Sequence, residues 1–379
     1  MKSVYILGEV NRVKYRSETL IKILLTDNYQ LYYNSIWPDH KIKADSKILG
    51  GIKKAVRIIH NILLFPFKVY LFLIADLVIL PAMNTYHQFE FNLAAKILKK
   101  KVIVDYYVSY YDTYVLDRKI IPENSRRAKK LMRYDQNLLK NGWKVFFLTQ
   151  TESKYYLKLA GLCNNNIDKL ILPLFTEEKK KVALPFFHKR NKTFTICWWG
   201  SYIPLHGLEE IIGAVAILSK LNFNYRLYIL GNSHQKSIKY ADMVSKCKLN
   251  DRVIIINDLT LDNEKLQPFL VENCDLALGN FGQSEKAKSV LVNKLLDGIA
   301  MRAPVLTGQS LAANEFFDFK NDIWRCANNP EEIAESIIKI SETKLEEIKR
   351  RVDNSYQIYQ KYFTERVFKK NFRKIFRAL

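Results

Sequence analysis

LGNFGQSEKAKSVLVNKLLDGIAMRAPVLTG, residues 278–308, is the stretch whose reading decides the fold. An apolar run closes at Leu278, and Gly279, Asn280, Phe281 and Gly282 form a loop in which glycine lets backbone approach a ligand closely. A helix is expected from Asn293, a favoured N-cap residue, to about Met301, before Pro304 opens the next strand. Exposed N–H groups at that helix start, with Lys294 in the first turn and Lys286 and Lys288 just ahead, make a plausible cradle for a diphosphate. Asp297, one turn on, is placed to accept hydrogen bonds from a ribose diol. The same residues also read as a solvated basic loop followed by a routine acid favoured by the helix dipole, and the physics of this stretch leaves both readings open.

Working outward, strand-like and helix-like segments alternate on both sides. Val4–Leu7 ends at Gly8 and is followed by a helical pattern over Ser17–Leu25. Leu77–Leu80, Lys101–Val104 and Val145–Leu148 then read as strands, separated by helical patterns at Phe89–Leu98 and Ser125–Lys140. A polar, basic stretch from Glu177 to Lys192 interrupts the series, which resumes with strands at Thr193–Trp198, Tyr225–Leu230, Val253–Ile256, Leu276–Leu278 and Pro304–Thr307 and a helix at Leu208–Lys220. Such alternation argues for parallel sheets covered by helices, an α/β chain of two domains divided near residues 176–192. Ligands of such sheets bind beyond the carboxyl ends of the strands, and a cleft between two such domains is expected.

Composition fits two packed domains: 379 residues exceed what one core usually sustains, and 48% are hydrophobic. Sixty Lys and Arg against 38 Asp and Glu give a formal charge of +22, which points to anionic partners: nucleotide diphosphate, lipid headgroups or nucleic acid. The five cysteines are odd in number and widely spaced without Cys-x-x-Cys, so neither a disulfide framework nor a zinc site is indicated. With no signal-peptide pattern over Met1–Gly8, the expected compartment is the cytoplasm. No ribonucleoprotein motif, finger spacing or helix-turn-helix signature supports specific nucleic-acid recognition. P-loop, Gly-x-Gly-x-x-Gly and His-Glu-x-x-His motifs are absent.

Ile52–Ile74 is long, apolar and aromatic, yet His60, Asn61 and Lys68 interrupt it, and charges at bilayer depth cost roughly 2.5 kcal/mol or more each. Two readings stand: an amphipathic helix lying in a membrane interface, or a core helix followed by an inner strand. The stretch Tyr362–Leu379 mixes phenylalanines with Arg and Lys and reads equally as packed on the protein or lying on anionic lipid. The lipid-facing readings lead to the expectation of a cytoplasmic protein lying peripherally on the inner face of the cell membrane.

Asn293-Lys294-Leu295-Leu296-Asp297, followed by Ala300 and Ala303-Pro304-Val305, resembles the nucleotide-sugar loop and helix of glycosyltransferase family 4. Trp198–Gly207, WWGSYIPLHG, resembles the strand and glycine loop that open that family's donor domain, and Tyr228–Gly231 its second strand and glycine. Val104–Arg118, VDYYVSYYDTYVLDR, is similar to an acceptor-domain strand and loop. The resemblance implies a GT-B fold of two Rossmann-like domains facing a central cleft. Residues 1–180 would form the acceptor-side domain, with a C-terminal helix from about 355 packing back on it, and 181–354 the nucleotide-sugar domain. It implies sugar transfer, hexosyl in type, from a nucleotide diphosphate sugar as co-substrate, with no further cofactor. The acceptor would be a saccharide, growing or lipid-linked, as in surface polysaccharide or lipopolysaccharide assembly.

Carried onto this sequence, the resemblance implicates Gly200, Ser201, Gly231, Gly282, Lys286, Lys288, Ser289, Asn293, Lys294 and Asp297 in donor binding, and Asp112 and His206 in catalysis. Ser109, Tyr110 and Arg118 fall on the acceptor side, and Glu315 stands where the family often places an acid. There are departures. The family's two glutamates fall at Ser289 and Asp297, and its Arg and Lys pair at Ser201 and His206. No Asp-x-Asp occurs, so the leaving diphosphate is expected to be neutralised by protein cations and helix amides rather than by metal. Retention at the anomeric carbon by a front-face route is implied. The competing expectations are a degenerate GT-B binding partner, motivated by Ser289, and a nucleotide-sugar epimerase.

Overall fold

The computed structural model describes residues 2–7, 14–33, 59, 62–81, 88–163, 167–177, 193–259 and 264–377. Gly8, most of Ile52–Asn61 and most of the basic stretch Glu177–Lys192 lie outside the described residues. The chain divides into two units: Met1–Leu148 with Tyr156–Leu172 and Arg373–Leu379, and Thr149–Tyr155 with Pro173–Phe372.

The first unit runs β1 (Ser3–Ile6), α1 (Lys14–Thr26), β2 (Gln30–Tyr33), α2 (Phe65–Ile74), β3 (Leu77–Leu80), α3 (Gln88–Ile97), β4 (Lys101–Asp105), a π-helix (Asp112–Asp117), α4 (Arg126–Asn141), β5 (Lys144–Phe147), α5 (Gln150–Leu159), whose residues up to Tyr155 group with the second unit, and β6 (Lys169–Ile171). Its six strands are all parallel in the order β2-β1-β3-β4-β5-β6. β1 and β3 are buried along their whole length and β4 and β5 beyond their first lysine, as continuous apolar runs must be when helices cover both faces. The described part of Ile52–Ile74 holds α2, with Pro66 in its first turn, and β3 follows it from Leu77. Only Lys68, Leu71 and Phe72 of α2 are buried. Among the described residues no helix is long and apolar enough to cross a membrane.

One buried ion pair fastens α1 to the sheet. Arg16 Nε lies 3.0 and 2.8 Å from the Asp105 carboxylate oxygens, and its guanidinium also donates to the Leu172 carbonyl at 3.1 Å. Both side chains are almost wholly buried. Asp105 ends β4, so the pair stands at the carboxyl edge of the sheet.

The second unit continues β7 (Phe194–Trp199), α6 (Leu208–Lys220), β8 (Tyr225–Leu230), α7 (His234–Lys246), β9 (Val253–Ile256), α8 (Leu266–Asn273), β10 (Leu276–Leu278), α9 (Glu285–Ser289), α10 (Asn293–Ala300), β11 (Val305–Thr307), β12 (Trp324–Arg325), α11 (Pro330–Ser341), α12 (Leu345–Tyr362) and α13 (Glu365–Arg377). Its six strands are again all parallel, in the order β12-β11-β10-β7-β8-β9. Tyr356, Tyr359 and Phe363 belong to this unit's core, and Phe368 packs on Phe175 with ring centroids 4.5 Å apart. Only the chain from Arg373 onward groups with the first unit, where Phe376 meets Tyr29 and Arg373 bonds Asp27. The aromatic face of α13 is thus covered by protein.

Replacing Arg16 with Met leaves the Asp105 carboxylate buried and unpaired. The expected cost to the first unit is about 3–5 kcal/mol, read as a shift in its urea transition; a change under about 1 kcal/mol would show that the pair is not what fastens α1.

Candidate functional site

At the carboxyl end of β7 the chain turns through Gly200, with φ +139°, a 3₁₀ turn at Pro204–His206 and Gly207, with φ +61°, before α6 begins. Both glycines occupy backbone conformations that side chains rarely adopt. The loop after β10 packs directly against this one: a Cβ on Gly207 would stand 2.3 Å from the Phe281 carbonyl carbon, and one on Gly282 would stand 2.3 Å from the Leu205 carbonyl oxygen. The Phe281 N–H closes the seam by donating to the His206 carbonyl at 3.2 Å. Gly279 similarly makes room for Thr307. Gly207 and Gly282 therefore let the protein's own two loops pack together. Gly231 makes room for Tyr202, whose hydroxyl would lie 2.1 Å from an added Cβ. Tyr202 stacks on Trp198 and Tyr240 and donates to the Asn257 side chain at 2.8 Å.

Lys294, in the first turn of α10, points its ammonium into this seam. It is buried, sits 4.1 Å from the centre of the Trp198 ring, and has no hydrogen-bond partner among the described residues. Its nitrogen lies 3.4 Å from where a Gly200 Cβ would be, so a side chain at 200 would press on the ammonium. Burial holds its pKa well below the ordinary lysine value. His206 is adjacent, its Nδ1 2.8 Å from the Ser201 carbonyl. A carbonyl only accepts, so Nδ1 carries the proton. Burial, and then the Lys294 charge, hold the imidazole well below its usual pKa, so at neutral pH it is uncharged and Nε2 is an acceptor. In that state its one N–H is committed to Ser201, leaving a hydroxyl rather than a phosphate as its natural partner.

The remaining donor-side candidates fall around this point. Asn293 is the first residue of α10 and exposed; the cap position belongs to extended Val292, which gives no side-chain bond, so the N-cap reading of Asn293 is corrected by one residue. Lys286, Lys288 and Ser289 stand on the short helix α9 rather than in a loop. Ser284 caps α9 by accepting from the Ala287 N–H. Lys286 and Ser289 are buried, and Lys288 reaches Glu285 at 3.1 Å on the surface. Ser201 accepts from the Asn232 side chain at 3.0 Å. Asp297 is buried, and its Oδ1 accepts the Thr176 hydroxyl at 2.6 Å; Tyr359 in turn donates to the Thr176 carbonyl. Glu315 accepts the backbone N–H groups of Gln150 and Thr151, so it serves a helix start.

In the first unit the candidates cluster beyond β4. Asp112 opens the π-helix, a rare element frequent at functional sites, and is buried. Ser109 and Tyr110 are buried too, the Tyr110 ring edge-on to Tyr134, while Arg118 is exposed over the Tyr114 ring. What shapes this loop is a residue that the sequence reading missed. Asp135 of α4 accepts the Ser109 hydroxyl at 2.6 Å and the N–H groups of Tyr110 and Tyr111 at 3.1 and 2.9 Å, and Ser109 accepts the Asp112 N–H. Burial outweighs these bonds and pushes its pKa up to about 6. Its signal was visible: an acid at an apolar position of α4, in phase with buried Ala128, Leu138 and Leu139. Arg16, Asp105 and Trp198 were likewise missed, and an acid ending a buried strand was the available clue for Asp105. Among the described residues no group of three or more His, Cys, Asp or Glu side chains is placed to hold a metal ion.

No protein-family model matches the chain, and no curated protein matches it by sequence. Solved structures do match over their whole length. HepE from Anabaena, solved with UDP-glucose, superposes with TM-score 0.68 at 13% identity, covering 100% of both chains. Sucrose-phosphate synthase from Thermosynechococcus elongatus gives 0.71 at 11% identity, covering 100% of this chain and 99% of that one. The lipopolysaccharide outer core galactosyltransferase WaaB gives 0.63 at 13% identity over 100% of both. The fold is GT-B: two Rossmann-like units, each built on a six-stranded parallel sheet.

Asp135 offers a pH test of the β4 loop. A carboxyl whose pKa is raised on folding binds its proton more tightly in the native state, so it costs nothing at low pH and lowers stability as pH climbs from about 4 to about 6. The full cost above that range is roughly 2–3 kcal/mol. Asp135→Asn is expected to flatten this part of the stability profile of the first unit; a variant that keeps the wild-type slope would place its source elsewhere.

Proposed function

We propose that this chain is a glycosyltransferase that takes a hexose from a nucleoside diphosphate sugar, held by the second unit, and passes it to a hydroxyl of a saccharide or lipid-linked acceptor. One observation carries the reading: Lys294 is buried beside Gly200 at the carboxyl ends of parallel strands, and its nitrogen has no hydrogen-bond partner among the described residues. A charge kept in that state is costly unless an anion completes it. A diphosphate does so, and the α10 amides add a partial positive charge on the same side. HepE, a structural neighbour, has been solved with UDP and with UDP-glucose, which makes uridine diphosphate the first base to test.

In this reading the anomeric C–O bond to the diphosphate breaks as the acceptor oxygen bonds the same carbon on the same face. The acceptor proton passes to the departing phosphate oxygen. Lys294 stabilises the charge that develops there, and no divalent metal is required. His206, neutral with Nε2 as an acceptor, takes a hydrogen bond from a sugar or ribose hydroxyl. Asp297 orders Thr176 beside the nucleotide. The loop braced by Asp135, with Asp112 at the head of its π-helix, shapes the acceptor side.

The test is thermal stabilisation by uridine, guanosine, adenosine and thymidine diphosphates, beside Lys294→Met. At ~100 times its dissociation constant the right nucleotide should add about 2.7 kcal/mol of stability. The variant should bind about 10–100-fold more weakly, the worth of a charge-assisted bond, while its ligand-free form is no less stable than the wild type. Affinity should fall as pH rises through the lowered Lys294 pKa, well before the ordinary lysine range. Undiminished affinity in Lys294→Met would overturn the site. Binding without sugar transfer to any acceptor would favour a non-catalytic GT-B partner, and a changed sugar without acceptor an epimerase.

A further inference from the structure

Successive strands β3, β4 and β5 lie side by side, so right-handed crossovers place α3 and α4 on one face of the first unit's sheet, and the crossover into β3 places α2 beside them. The contacts agree. Phe91 of α3 packs on Phe65 and Phe72 of α2 with centroids 5.9 and 5.0 Å apart, and Asn92 of α3 donates to the Asn137 carbonyl of α4 at 3.0 Å. The outer surface of this layer is unlike an ordinary solvated one. Along α2, Phe67, Tyr70 and Leu73 are each more than half exposed, and Leu63 just before it is 73% exposed. On α3, Leu93 is 42% and Ile97 74% exposed. Single exposed apolar residues are normal, but a run of them across two packed helices marks a contact surface. Beside it, α4 turns Arg126, Arg127, Lys129, Lys130 and Arg133 to solvent, and its one acid, Asp135, is buried.

We propose that the face formed by α2, α3 and α4 docks onto an anionic phospholipid bilayer. An apolar ridge flanked by a cationic helix, with Glu90 of α3 the one exposed acid on the three helices, matches the boundary between acyl chains and phosphates. Phenylalanine, tyrosine and leucine enter the headgroup level while Arg and Lys meet the phosphates above it. A nucleic acid would use the cations and leave the ridge in water. A second copy would cover the ridge and set the two cationic helices against like charge. The surface lies on the membrane, since no described helix can cross one. This inference stands on the first unit alone and is independent of the nucleotide site.

The experiment is co-sedimentation of the full chain with phosphatidylcholine vesicles, with and without phosphatidylglycerol. Two double variants are compared, Leu63→Glu with Phe67→Glu, and Lys129→Glu with Arg133→Glu. The wild type is expected to bind only the vesicles containing phosphatidylglycerol and to release partly at high salt. Each double variant should partition at least about tenfold more weakly, with an unchanged melting temperature because the altered side chains face solvent. Absence of binding to anionic vesicles, or binding undiminished in both variants, would overturn the proposal. So would a wild-type dimer in analytical ultracentrifugation that both variants convert to monomer, since the ridge would then belong to a second copy.

Discussion

A lysine ammonium buried against a tryptophan face is the constraint around which the second unit is arranged. Trp198 supplies the ring at 4.1 Å, and it is held in place by being the penultimate residue of a central strand. A cation–π contact recovers part of what Lys294 loses on leaving water, yet an ammonium has three donors and this one bonds to none of the described residues. In the seam around it an added Cβ would overlap backbone at Gly207, against Phe281, and at Gly282, against Leu205, while Gly200 beside the ammonium takes a φ that side chains rarely adopt. Packing that tight fixes the cation in one place. A preorganised charge of this kind needs no rearrangement when an anion arrives, which is the property that makes electrostatic stabilisation effective.

The first unit uses the opposite sign in the same manner. Asp105 and Asp135 are both buried acids near the carboxyl end of β4, but their surroundings differ. Asp105 has a full counter-charge in Arg16. Asp135 has only a hydroxyl and two peptide N–H groups, and burial still raises its pKa to about 6. The first is a structural fastening. The second leaves the loop from Ser109 to Asp112 dependent on a carboxylate that titrates close to neutrality.

The inner strands of both sheets were legible in the sequence because parallel strands buried on two faces write themselves as short apolar runs, whereas the partly buried edge strands β2, β6 and β12 were not read. The stretch 278–308 added the loop and helix on which Lys294 stands. Less was legible where meaning depends on partners distant in sequence. Asn293 has the composition of an N-cap, yet Val292 takes that position because the extended residue before the helix, rather than the best capping side chain, defines it. Asp297 meets Thr176, 121 residues away, a pairing no local pattern encodes. The tautomer of His206 follows from one carbonyl five residues back, visible only once the 3₁₀ turn is formed. Asp135 was readable in principle, as a charge at an apolar phase of α4.

The placement of charge separates what the interior needs from what the surface advertises. The two internal groups with the clearest perturbations, Lys294 and Asp135, are both driven toward their neutral forms by burial, in opposite pKa directions. Folding therefore gains nothing from ionising either of them, and a stability argument cannot explain a lysine and an aspartate at those positions. The excess of +22 resides elsewhere, in exposed arginines and lysines such as those of α4, where ionisation is free and the field reaches about a Debye length into solvent. A surface charge of that size raises the local concentration of any anion, but it selects none. Selection requires a charge held in fixed geometry out of water, which is the part that the proposed function gives to Lys294.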